Sequence, residues 1–272
     1  MLLHEHLENG ADKNPNFPFS EFEGNSISYQ EANLLSNQLA NKLVSEGLEV
    51  GDRFAFLAKN CTEMAIMYYA ASKVGAVPVP LNYRLADQEW AYIINDSEAK
   101  LIIVKGNEYS DRINQISSEL KNVKKYISIS LDNSIEKFQD FYDWLSDSSN
   151  EKPTLKIHEN DDVYQMYTSG TTGHPKGAVL LQRNVAANIR QYLNSLTLPR
   201  PSRTLLVAPM YHAAAMINMC GCIAIGGTIV IQEDFIPQDV VDCLANEKIT
   251  HTVLVPAMIQ ACLVSVPNAV SY

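Results

Sequence analysis

Apolar positions recur along this chain at two alternating periods, and the alternation predicts strands and helices in turn. Ala32, Leu35, Leu39 and Leu43 are spaced as one face of a helix, which Gly47 closes. Ahead of it, Ser28-Tyr29-Gln30-Glu31 has the form of a capping box: serine caps free N–H groups and glutamate reaches back. Phe54 to Leu57 predicts a short buried strand. Thr62 is placed to cap a helix through Val74, ended by Gly75. Val77 to Pro80 reads as an extended piece and Asp87 to Asn95 as a helix. Leu101 to Val104 is a strand without polar alternation, so both faces are expected to be covered. A helix near Ser110 to Leu120, a strand over Lys125 to Ile129 and a helix near Ile135 to Leu145 follow. The polar stretch Ser146 to Pro153 predicts an exposed connection. Beyond it come a strand over Val163 to Thr168, a helix over Asn184 to Leu196 and a strand over Thr204 to Ala208. Then follow a helix over Ala213 to Ile225, a strand over Thr228 to Ile231, a helix after Pro237, a strand over Thr252 to Val255 and a helix after Pro256. This order predicts an α/β protein with largely parallel sheets covered by helices.

Composition narrows the classes. Of 272 residues, 46% are hydrophobic and 19% charged, which suits a sizeable core. The formal net charge of -10 argues against a nucleic-acid binder, which needs a basic face. Five cysteines without regular spacing, Cys61, Cys220, Cys222, Cys243 and Cys262, read as reduced thiols of a cytoplasmic protein. Cys220 and Cys222 lie in an apolar segment and are expected in the core. The uncharged run Ala213 to Ile231 approaches membrane-spanning length, but Asn218 and Gly226-Gly227 favour a buried helix, a turn and a buried strand. No signal peptide is visible at the N-terminus.

One stretch concentrates chemistry. Tyr167 to Leu180 read YTSGTTGHPKGAVL, after a predicted strand and ahead of a predicted helix. Gly170, Gly173 and Gly177 allow close backbone approach. Consecutive N–H groups in such a turn converge on anions. Thr168, Ser169, Thr171 and Thr172 add hydroxyls and Lys176 adds a cation, a set that suits a polyphosphate. The spacing is not that of a Walker A loop, because Lys176 is followed by Gly177 and two residues separate Gly170 from Gly173. A plain surface turn is the alternative, yet turning needs neither the hydroxyls nor the lysine. Gln165, polar in an apolar strand, either faces the ligand or alternates outward. No histidine shows metal-ligand spacing.

TSGTTGHPKG resembles the phosphate-loop signature of the adenylate-forming enzymes: acyl-CoA synthetases, peptide-synthetase adenylation domains and luciferases. The resemblance extends over essentially the whole chain. SYQEANLLSNQLANKLVSEGLEVGDRFAFLAKN, AIMYYAASKVGAVPVPLNYRL, APMYHAAA and THTVLVPAMI are similar to successive family regions, and VPLNYRL is most like the fatty-acyl-CoA synthetase branch. The resemblance implies ATP, magnesium and coenzyme A as cofactors, with a small carboxylic acid as substrate. The acid attacks the α-phosphorus of ATP, and a thiol then displaces AMP. Thr168, Ser169, Gly170, Thr171, Thr172 and Gly173 would wrap the phosphates, Lys176 would support the loop, and Thr168 would also lie near magnesium. His212, after Tyr211, matches the family position beside the carboxylate. Ala213, Ala214 and Ala215 either floor an acyl channel or pack the helix. His174 stands at a variable position and takes no role.

Family chains are roughly twice as long. Their later aromatic-Gly-x-Thr-Glu motif, ribose-binding aspartate, hinge and mobile C-terminal lid domain with its lysine have no counterpart here; the only Thr-Glu pair is Thr62-Glu63. The chain is therefore expected to be the N-terminal portion of an adenylation domain, 1–272, with a subdomain boundary near 146–160. It is expected to be inactive alone and to carry uncovered apolar surface. An amino-acid or aryl-acid adenylation domain is the alternative, as is a non-catalytic nucleotide-binding remnant. Peripheral membrane contact and oligomeric state stay open.

Overall fold

The computed structural model describes residues 1–131, 134–168, 173–267 and 269. The chain begins with helix α1 (Leu3–Lys13) and a hairpin of β1 (Pro18–Phe22) and β2 (Asn25–Ser28). Helix α2 (Tyr29–Ser45) starts at the capping box: Ser28 N–H donates to Glu31 Oε2 at 2.7 Å, and Glu31 N–H donates to Ser28 Oγ at 3.2 Å. Strand β3 (Arg53–Leu57), helix α3 (Thr62–Val74) and strand β4 (Val77–Pro80) form the first parallel unit. Gly75 ends α3 in the left-handed conformation at φ 72°, as expected. Cys61, not Thr62, is the capping residue; Thr62 is already helical and shares a 3.1 Å hydroxyl contact with Ser20.

Helix α4 (Asp87–Asp96), strand β5 (Leu101–Lys105), helix α5 (Asn107–Ile116) and strand β6 (Lys125–Ile129) follow. Where the sequence predicts a helix over Ile135 to Leu145, the chain makes a short strand β7 (Phe138–Asp140) and a five-residue helix α6 (Phe141–Leu145). Asp140 terminates the one and caps the other, accepting from the N–H groups of Tyr142 and Asp143. Next come β8 (Asp162–Thr168), β9 (Lys176–Leu181), α7 (Gln182–Ser195), β10 (Arg203–Leu206), α8 (Ala213–Ala224) and β11 (Thr228–Ile231). Helix α9 (Pro237–Asn246), strand β12 (His251–Thr252) and helix α10 (Pro256–Ser265) complete the described elements. β12 consists only of His251 and Thr252, so the strand expected over Thr252 to Val255 is mostly irregular.

Three sheets result. The first is all parallel in the order β4-β3-β5-β6-β7, a doubly wound order with helices on both faces. Leu101 to Val104 are buried throughout, as the unbroken apolar run predicts. The second, β12-β10-β11-β1-β2, is parallel except for the β1–β2 hairpin. The third is the antiparallel β8–β9 pair.

Helix α3 joins all three. It is buried from Met64 to Val74, so it lacks a polar face. Tyr69 packs edge-on to Phe19 of the second sheet at 6.3 Å. Tyr68 packs edge-on to Phe56 of the first at 5.6 Å and to Tyr164 of β8 at 6.1 Å. Each such aromatic pair contributes about 0.5–1.5 kcal/mol beyond its buried area. The charge in its last turn, Lys73, is satisfied by Glu8 at 3.2 Å and by Asn33 and Asn37 at 2.7 Å each.

The polar connection after α6 is exposed but tied down. Asn37 donates to the Asn150 carbonyl, Gln38 to that of Leu145, and Asn41 to those of Ser149 and Glu151. All five cysteines are buried and free, and burial pushes the Cys220 and Cys222 thiols up to about 12. Ala213 to Ile231 is the expected helix, turn and buried strand. Among the described residues, no helix is long and apolar enough to cross a membrane.

Candidate active site

The stretch that carries the candidate chemistry is a hairpin turn. β8 and β9 pair antiparallel, with Thr168 opposite Lys176 and Tyr167 opposite Gly177. The sequence predicts strand, turn and helix; the structure puts the six residues of β9 between the turn and α7. The turn is therefore followed by a strand, and no helix N-terminus stands directly behind it. Ser169, Gly170, Thr171 and Thr172 lie outside the described residues.

Gln165 takes neither of the orientations expected for it. It is 7% exposed and sits inside a chain of hydrogen bonds. Arg53 Nε donates to its Oε1 at 3.2 Å, and its Nε2 donates to the Tyr167 hydroxyl at 3.1 Å. Tyr167 in turn donates to Asp96 Oδ2 at 2.6 Å. Arg53 also pairs with Asp162 at 3.0 Å, so this run of bonds passes from β3 through β8 to α4. Burial, then the Asp96 carboxylate, holds the Tyr167 phenol well above its usual range, so the hydroxyl stays a donor.

A cavity of about 240 Å³ opens beside the turn. Thr168, Gly173 and Pro175 line it from the hairpin; Leu85, Glu89 and Ile93 line it from α4 and the segment before it. Pro80 and Asn82 stand at the end of β4, and Tyr211 and His212 close the far side. His212 lies just before α8, in extended conformation at φ -93° and ψ 143°. Its ring stands 4.5 Å from that of Tyr211, which is buried and edge-on to Tyr83 at 5.5 Å. The Arg84 guanidinium lies over Tyr83 at 5.4 Å. The His212 ring is exposed at the cavity, yet the protein mass around it, then Arg84, lowers its pKa, so the imidazole is neutral at pH 7.

Four of the predicted site residues can be placed. Thr168, Gly173 and His212 share the cavity wall. Lys176 is exposed on β9 and has no ion-pair partner among the described residues. Of the three alanines after His212, Ala213 and Ala214 are exposed and Ala215 is buried; none lines the cavity. His174, given no role from the sequence, stacks on Tyr92 at 4.5 Å with an 18° interplanar angle. Sequence reading also misses Glu89, Ile93, Tyr92 and Asp96, which α4 brings to the hairpin. Their helical spacing is visible in the sequence, but their target is not.

A larger cavity of about 520 Å³ lies between the β1–β2 hairpin and α9. Glu21, Glu23, Asp239, Asp242 and Glu247 line it, and like charge there opposes a polyphosphate. Among the described residues, no group of three or more His, Cys, Asp or Glu side chains is placed to hold a metal ion.

Residues 7–271 match the family of AMP-binding enzymes. The chain belongs to that family. The chain is 30% identical over 235 residues to the long-chain-fatty-acid–CoA ligase FadD13 of Mycobacterium tuberculosis, covering 86% of the chain and 45% of that ligase. It is 30% identical over 239 residues to a feruloyl-CoA synthase of Amycolatopsis sp, covering 88% of the chain and 45% of that synthase. It thus spans about half the length of these curated relatives. Its structure superposes on the inhibitor-bound N-terminal domain of FACL13 from Mycobacterium tuberculosis with a TM-score of 0.89 at 27% identity, over 99% of this chain and 66% of that one. An anthranilate CoA ligase, AuaEII, in complex with anthranoyl-AMP gives a TM-score of 0.93 at 21% identity, over 100% of this chain and 53% of that one, and shows the shared fold.

Proposed function

We propose that this chain holds the phosphates of ATP in the β8–β9 turn, as part of an acid–CoA ligase that activates a carboxylic acid, a fatty acid in the first reading. The carrying observation is that Thr168 and Gly173 on the turn and His212 across from them border one cavity. In the proposed reaction a carboxylate oxygen bonds to the α-phosphorus and pyrophosphate leaves; the thiol of coenzyme A then bonds to the acyl carbon and AMP leaves. An anion must approach a polyanion, so neutralisation and alignment carry the rate. Thr168 to Gly173 wrap the β- and γ-phosphates, Lys176 supplies a positive charge beside them, and neutral His212 orients the incoming carboxylate.

The donor set fits magnesium. Thr168 and Glu89 offer oxygens to one cavity. An ion carried in on phosphates needs only one or two protein oxygens. Thr168 is the proposed neighbour. Magnesium supplies charge neutralisation of the phosphate oxygens when bound.

An aryl acid is the second reading, favoured by the likeness to feruloyl-CoA synthase. Under either reading, residues 1–272 supply only part of the nucleotide site, because the sequence after His212 contains no Thr-Glu pair. Pyrophosphate release by the 272-residue chain, supplied with ATP and a panel of fatty, aryl and amino acids, tests this. We expect no steady release with any acid. Sustained release would show that the catalytic set is complete within these residues, and its acid preference would choose among the substrate readings.

A further inference from the structure

Taking the turn as the phosphate loop, we propose that Tyr92 and Asp96 of α4 are positioning residues that clamp both of its stems. The two residues are four apart and so share one face of the helix. Asp96 holds the incoming stem: its carboxylate accepts from the hydroxyl of Tyr167, the residue before Thr168, at 2.6 Å. Tyr92 holds the outgoing stem. Its ring stacks on His174, and its hydroxyl donates to the Pro175 carbonyl at 3.4 Å, one residue before Lys176. The register sets Thr168 directly opposite Lys176, so the clamp fixes the separation of the two chain ends that frame the turn.

The helix is a firm support for such a clamp. Trp90 is fully buried and donates to the Asn82 carbonyl at 2.8 Å. The Arg112 guanidinium lies 3.9 Å over the Trp90 ring and donates to Asp87 at 2.8 Å. From inside, the Arg53–Gln165 bond steadies the Tyr167 hydroxyl that Asp96 receives. Glu89, one turn before Tyr92, and Ile93, beside it, wall the cavity itself. One helix face therefore shapes the cavity and spaces the stems. A pair of incidental surface contacts would not meet both stems from the same face.

Hydrogen exchange without nucleotide, read on peptides covering residues 164–181, tests the clamp directly. We expect exchange roughly tenfold faster there in Asp96→Ala and Tyr92→Ala, near the parent rate in Asp96→Asn, which keeps an acceptor, and unchanged elsewhere. Tyr167→Phe keeps the ring and is the second variant: it should behave as Asp96→Ala. Unaltered exchange in this segment, or a uniform rise across the chain in all variants including Tyr167→Phe, overturns the clamp. Titration of the same variants with ATP and with AMP separates positioning from general loosening. ATP should bind about tenfold more weakly with AMP unchanged, since a misplaced loop acts only on the phosphates it holds. Equal weakening of both overturns the positioning role. A parent chain that binds no ATP, while exchange responds locally, supports the clamp and removes the phosphate reading alone.

Discussion

Gln165, paired with Val179 in the β8–β9 register, reaches diagonally across the hairpin to Gly177, so that its amide nitrogen stands where a β-carbon on Gly177 would lie. The Tyr167 ring closes the same space, with Cζ 2.8 Å from that position. Gly177 is thus needed for close packing, not for turning. Gly177→Ala should cost about 1–3 kcal/mol through overpacking and displace Tyr167 from its bond to Asp96. Urea unfolding checks this; an unchanged midpoint would show that the hairpin absorbs a methyl group there.

Lys73 in the last turn of α3 has a side chain 2% exposed, and it shares the Glu8 carboxylate with Lys152. Lys73→Met should leave Glu8, Asn33 and Asn37 without their common donor. Breaking a buried pair by removing one member costs about 3–5 kcal/mol. Chemical unfolding of Lys73→Met should show a loss of this size. A variant as stable as the parent would mean that hydrophobic replacement compensates fully.

Acid should destabilise the fold early. Burial, then the N-terminal ammonium, lowers the His6 pKa from 6.5 to about 4. Burial lowers His4 as well. As pH falls, the unfolded chain takes up these protons first, so stability present above pH 6.5 is lost between 6.5 and 4. For His6 alone the loss is up to about 3 kcal/mol. Unfolding measured at steps across that window should fall for the parent and fall less for His6→Asn. Identical slopes would show that His6 does not carry the loss.

The legibility of this chain from sequence follows from where each signal resides. Local chemistry was readable: Ser28 with Glu31 made a capping box, Gly75 ended α3, and Leu101 to Val104 formed a buried parallel strand. Thr168, Gly173 and His212, picked out by motif, share a cavity wall. What failed depended on pairing. β9 reads KGAVLL, with an exposure pattern that lacks clean alternation, so nothing local marked it as a hairpin arm. β7 and β12 are three and two residues long, too short for any period. Tyr92 and Asp96 looked like ordinary helix-surface residues because their partners lie about 70 to 80 positions away.

Helix α10 shows a different consequence. Of its ten residues only Cys262 is buried, while Ile259, Leu263 and Val264 are 47%, 54% and 78% exposed. Such a cluster promotes association. We expect the 272-residue chain to self-associate, and Leu263→Glu with Val264→Lys to raise its monomer fraction in light scattering. A parent chain monomeric at high concentration would contradict this.

Titration calorimetry of ATP into the parent chain and Lys176→Ala, repeated across a range of salt, tests the phosphate-loop claim most directly. The parent should bind ATP more tightly than AMP, salt should weaken ATP the more, and Lys176→Ala should lose about tenfold for ATP while leaving AMP unchanged. Equal affinity of the parent and Lys176→Ala for ATP would contradict that claim.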